Sequence, residues 1–150
     1  MADRIDYLFQ EWHQLGGKAL VAEVDRSITP RRAEEVIAES SAHCRESGRL
    51  TWIVLDWLIR HIDHIDEQIL LRETKSIGDL SVLGVVCDAA NLRNPQPKLQ
   101  RIMQACERPK QLETFFKRVA NSPLASRLAR ENAVDVFRRW NYWSNELRYL

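Results

Sequence analysis

The residues with the clearest chemical potential in this 150-residue chain are the arginines and lysines beyond position 92. From Arg93 to Leu150 there are 12 Lys/Arg against 5 Asp/Glu, a net of +7, whereas Met1 to Leu92 carry 10 against 16, a net of −6. The overall charge of +1 conceals that sorting. Guanidinium groups offer forked donors that match phosphate, and tyrosine adds a ring and a hydroxyl. Lys98, Arg101, Lys117, Arg118, Arg127, Arg130, Arg138, Arg139, Tyr142, Asn145 and Tyr149 are therefore the candidate nucleic-acid-binding residues. Arg138, Tyr142, Asn145 and Tyr149 share one side of an expected C-terminal helix, where backbone contact and stacking could combine. Arg93, Arg108, Lys110 and Arg148 would extend the patch. The same charges also suit a plainer use: Asp135 and Arg139 have i,i+4 spacing, and the basic third can dock on the acidic part of its own chain.

A second group is His61-Ile62-Asp63-His64-Ile65-Asp66-Glu67. On a continuous helix His61 and His64 share a side and Glu67 extends it, so two imidazoles and a carboxylate could hold a divalent ion if a fourth ligand came from elsewhere. The spacing is not His-Glu-x-x-His, and a solvated, hydrogen-bonded rim accounts for the same residues. No metal or other cofactor is expected. Carboxylates such as Asp56 near Arg60, or Asp63 near Glu67, have the spacing of ordinary exposed helix pairs. Gly16-Gly17 lacks the continuation that a phosphate-cradling loop requires.

Cys44, Cys87 and Cys106 are odd in number and widely spaced, each inside a helical pattern. That is the usage of a reducing compartment with buried thiols. The N-terminus carries Asp3, Arg4, Asp6 and Glu11, which excludes the apolar run of a signal peptide, and the low-charge window from Ile77 to Ala90 is too short for a membrane span. The expected location is the cytoplasm, with no membrane partner.

These groups are positioned by helices, because apolar residues recur at three and four places and no stretch alternates with period two. Helix one is expected over about 5–14, ended by Gly16-Gly17. Thr29 and Pro30 read as a cap and first-turn proline for a second helix, whose packed side includes Val36, Ile37 and Cys44 and which Gly48 stops. A third begins near Leu50 and runs to His61 or on to Leu71, with a turn near Ile65 as the alternative. Ser76 and Asp79 resemble a capping box for a fourth helix, over about 77–92, apolar on nearly every side, with Gly84 in the middle of its run. Pro95 and Pro97 turn the chain.

Two short helices are expected next, over about 98–106 and 111–120, separated by Pro109. They have the size of a helix-turn-helix, although Phe115 and Phe116 would have to be buried. The last helix is expected over about 124–148, with Val136, Trp140, Trp143, Leu147 and Leu150 forming a seam against the core or against a second copy.

The reading is a single all-α domain over residues 1–150: a compact multi-helix bundle or a short stack of helical hairpins, with its more basic part beginning near 93. The function expected of it is non-catalytic and nucleic-acid-associated or regulatory, acting through the basic C-terminal helices. A helical protein-protein interaction module is the alternative, with a small metal-dependent enzyme third. Expected partners are nucleic acid or a protein, and a second copy through the C-terminal helix.

Overall fold

The computed structural model describes residues 3–19, 21–109, 113–116 and 135–143. Seven α-helices and two 3-10 turns lie among them: α1 Asp3–Gln14, α2 Ala33–Ser41, a 3-10 turn at Cys44–Glu46, α3 Gly48–His61, a second at Ile62–His64, α4 Glu67–Ile77, α5 Leu80–Arg93, α6 Pro97–Ala105 and α7 Asp135–Arg139. The protein is an all-α bundle. The extended elements among the described residues are two residues long, Glu113–Thr114 pairing in parallel with Tyr142–Trp143.

Helix α5 is the axis of the bundle because its sequence offers no polar face. Every residue from Ser81 to Ala90 is buried, and the helix touches α2, α3, α4, α6 and α7. Such all-round contact fits a bundle rather than a stack of hairpins, in which each repeat meets only its neighbours. Helices α2 and α4 pack on one another, as do α3 and α5, so one core runs from Leu8 and Trp12 through Leu55 and Val86 to Phe137 and Tyr142.

Several local expectations are corrected by tertiary contacts. The second helix begins at Ala33 rather than at Thr29-Pro30, after an extended Arg32 that makes no side-chain cap. The carboxylate of wholly buried Glu11 accepts from the Arg31 backbone N–H at 3.1 Å and from its guanidinium at 2.9 and 2.7 Å. That demand holds Arg31 out of the helix. Gly48 opens α3 rather than ending α2, since the Ser47 hydroxyl caps Leu50 N–H at 3.1 Å.

The chain does break near Ile65, where Asp66 caps α4 through the Gln68 and Ile69 amides and its own N–H donates to buried Glu34 at 2.9 Å. Asp79, not Ser76, caps α5, through the Ser81 and Val82 amides. Gly78 precedes it because a Cβ there would collide with the Ala38 carbonyl and the Ser41 hydroxyl.

The C-terminal part differs most. Residues Glu113–Thr114 are extended where a helix over 111–120 was expected, so the helix-turn-helix around Pro109 is not formed. Helix α7 stops at Arg139, and Asn141 adopts a positive φ of 58°, which turns the chain into its short pairing. A continuous helix through 148 is thereby excluded. Val136 and Trp140 of the expected seam are buried in the chain's own core; Leu147 and Leu150 lie outside the described residues.

Candidate functional site

Helix α7 and the strand after it are locked onto α5 by a side-chain cluster built around Asp88. Asp88 is 4% exposed, a charge inside the buried stretch Ser81–Ala90 of α5. It accepts from the Arg139 guanidinium at 2.9 and 2.7 Å and from the Trp140 indole N–H at 2.9 Å. A buried charge is tolerable only when so paired. The Asp88 carboxylate in turn holds the Arg139 pKa above its ordinary value. The guanidinium of Arg108 stacks 4.5 Å over the Trp140 ring and donates through Nε to the Arg139 carbonyl. Asn141 donates to the Pro109 carbonyl at 2.7 Å, so the segment after α6 is tied to the segment after α7.

Among the described residues, the nucleic-acid candidates Lys98, Arg101, Arg139 and Tyr142 are engaged within the chain. Lys98 donates to the Ile65 carbonyl at 2.8 Å, Arg101 pairs with Glu67 at 3.0 Å, and Arg139 pairs with Asp88. Tyr142 is not available for stacking. It is 1% exposed, its ring packs edge-on against Phe115 with centroids 5.2 Å apart, and its hydroxyl shares a 2.7 Å hydrogen bond with Ser81. The reason is the end of α7 at Arg139, which turns Tyr142 inward rather than along a helix surface. Arg138 is exposed. Lys117, Arg118, Arg127, Arg130, Asn145 and Tyr149 lie outside the described residues.

The His-Asp cluster does not assemble as a ligand set. His61 ends α3 and His64 lies in the following turn, their ring centroids 5.9 Å apart, while Glu67 is turned toward Arg101. Among the described residues no three His, Cys, Asp or Glu side chains converge on one point. The three cysteines are free thiols. Burial pushes Cys44 and Cys106 up to about 12 and Cys87 well above its usual range. Such thiols are poor nucleophiles at neutral pH.

Sequence reading missed one place where charge converges. A cleft of about 460 Å³ opens between the Cys44–Glu46 turn, the end of α4, the start of α5 and the chain after α6. Arg45, Lys75 and Arg108 line it together with Thr74, Asp79, Ser81, Glu107 and Tyr142. Among the described residues, Arg45 and Lys75 come from the acidic part of the chain, and Arg45, Lys75 and Arg108 are separated by 30 and 33 places, so no spacing rule connects them. No helix among the described residues is long and apolar enough to cross a membrane. Compared with protein families, curated proteins and solved structures, the chain matches none of them.

Proposed function

We propose that this protein is a non-catalytic helical interaction module that works by reversible assembly with a protein partner. The observation that carries the reading is where three of the described C-terminal cations go: Lys98, Arg101 and Arg139 are bound to Ile65, Glu67 and Asp88, all in the acidic part of the same chain. The sorted charge then serves to close the bundle, and a nucleic-acid backbone would have to displace those internal partners to use them. Three buried free thiols fit work in the reducing cytoplasm.

A second reading keeps the protein as a nucleic-acid-associated regulator acting through its basic C-terminal part. Exposed Arg138 and Arg108, beside an Arg139 side chain that is 43% exposed, favour it.

Fluorescence anisotropy of labelled duplex DNA, single-stranded DNA and RNA, at low and near-physiological salt, separates the two. The interaction reading expects no saturable binding at either salt, together with a partner retained after nuclease treatment and at elevated salt. Saturable binding that weakens steeply with salt, and that Arg138→Gln reduces without unfolding the protein, sinks it in favour of the second.

A further inference from the structure

We propose that the cleft beside the start of α5 is an oxyanion site that takes a phosphate monoester. Three cations reach it from three separate segments: Arg45 from the first 3-10 turn, Lys75 from the end of α4 and Arg108 from the chain after α6. Two of them are held in place before any ligand arrives. Arg45 donates through Nε to the Phe115 carbonyl at 3.0 Å and its guanidinium lies 5.1 Å from the centre of the Tyr142 ring. Arg108 is fixed likewise by the Arg139 carbonyl and the Trp140 face. Guanidiniums restrained in this way lose less freedom on binding than mobile ones, and their planar forks suit phosphate oxygens. Exposed Lys75 adds a mobile point charge.

The start of the helix itself is not what attracts the anion, because the Asp79 carboxylate already takes the Ser81 and Val82 amides and the Ser81 hydroxyl, at 3.0, 3.3 and 2.6 Å. The side-chain cations supply the pull, against Asp79 and the exposed Glu107, which also line the cleft. An adjoining hollow of about 360 Å³ shares Lys75, Leu80 and Glu107 with the cleft and adds Leu71, Ala105 and a further cation, Arg72. It gives room for the less polar body of the molecule that carries the phosphate. Among the described residues no exposed aromatic ring lines either space, which favours the phosphate over a stacked base as the recognised group. The site holds whether the phosphate is brought by a protein or by a nucleotide.

The test is calorimetric titration of the full chain with inorganic phosphate in the millimolar range, for the wild type, Lys75→Gln, Arg108→Gln and Glu107→Gln. Saturable binding is expected, weakened about threefold by Lys75→Gln and strengthened by a similar factor in Glu107→Gln, as the loss of one exposed attraction or repulsion implies. Arg108→Gln should weaken it by about tenfold, the loss of a charge-assisted fork. Lys75 and Glu107 are exposed, so their variants keep the test valid if removing Arg108 from Trp140 disturbs folding. No saturable binding, or binding indifferent to both exposed substitutions, overturns the proposal. Repeating the titration with phosphoserine and with adenosine 5′-monophosphate names the source: tighter phosphoserine assigns the phosphate to a protein partner, tighter nucleotide to a free nucleotide, and equal affinity to the phosphate group alone. A partner captured by a protein that binds no phosphate would remove this site and leave the interaction reading standing.

Discussion

Gly84 in the middle of α5 and Trp140 at the end of α7 fit only because one of them has no side chain. A Cβ on Gly84 would approach three carbons of the Trp140 ring closer than 3.0 Å, a separation real Cβ atoms essentially never show. The glycine costs helix propensity, offset by seating a tryptophan of the C-terminal segment. Gly84→Ala should therefore destabilise the protein by about 1–3 kcal/mol through overpacking, although it would gain about 1 kcal/mol in an unobstructed helix. Urea unfolding checks the sign. In a Trp140→Leu background the same substitution should lose its penalty, and a cost that persists there would place the clash elsewhere.

The Asp88 carboxylate gathers Arg139 and Trp140, so its charge and its second oxygen are both in use. Asp88→Asn should cost about 1–3 kcal/mol, below the 3–5 kcal/mol of a fully buried pair because the Arg139 side chain is 43% exposed. The double variant Asp88→Asn, Arg139→Gln should lose less than the sum of the two single losses. Strict additivity in denaturant unfolding would show that the two groups do not act as a pair.

Glu11 is wholly buried and holds Arg31 by three hydrogen bonds, while Arg31 also pairs with Glu39 at 3.0 Å and Arg4 reaches the same Glu39. This network fastens α1 to the start of α2. Glu11→Gln should destabilise by about 3 kcal/mol, since a buried partner is lost while the guanidinium stays. Unfolding midpoints that move by no more than those of an exposed control such as Glu23→Gln would show that the network contributes little.

His61 packs beside Trp57 with ring centroids 5.0 Å apart and lies next to Arg60 and His64. Partial burial lowers its pKa below the usual imidazole value of 6.5, with Arg60 and then His64 adding to the shift and Asp56 opposing it. The folded state thus favours the neutral ring. Its contribution to stability is complete above the unfolded value of 6.5 and declines as pH falls through the lower folded value. An NMR titration should find the His61 midpoint below 6.5 and moved upward by His64→Ala; a midpoint at or above 6.5 would contradict this.

The amino-acid sequence by itself determined the all-α class, because apolar spacing is a property of each segment alone. The mostly apolar run 80–90 marked the central helix for the same reason, and Pro95 and Pro97 marked the corner before α6, which begins at Pro97 itself. It also determined that the two parts of the chain carry opposite charge. What it left undecided was where that charge would be used, since Arg139 meets Asp88 across 51 positions and Arg101 meets Glu67 across 34.

Only the tertiary structure decided those pairings, and with them the ends of several helices. Thr29-Pro30 is a sound local helix start that yields to the need of buried Glu11 for Arg31. A helix through 148 is locally consistent, yet α7 stops at Arg139. Trp140 can then fill the space over Gly84 and reach Asp88, while Tyr142 turns inward to Ser81. Local preferences of a kcal/mol or less per residue give way to a buried charge or a large ring that must be satisfied. The cleft of Arg45, Lys75 and Arg108 was invisible for the same reason: it exists only where three distant segments meet.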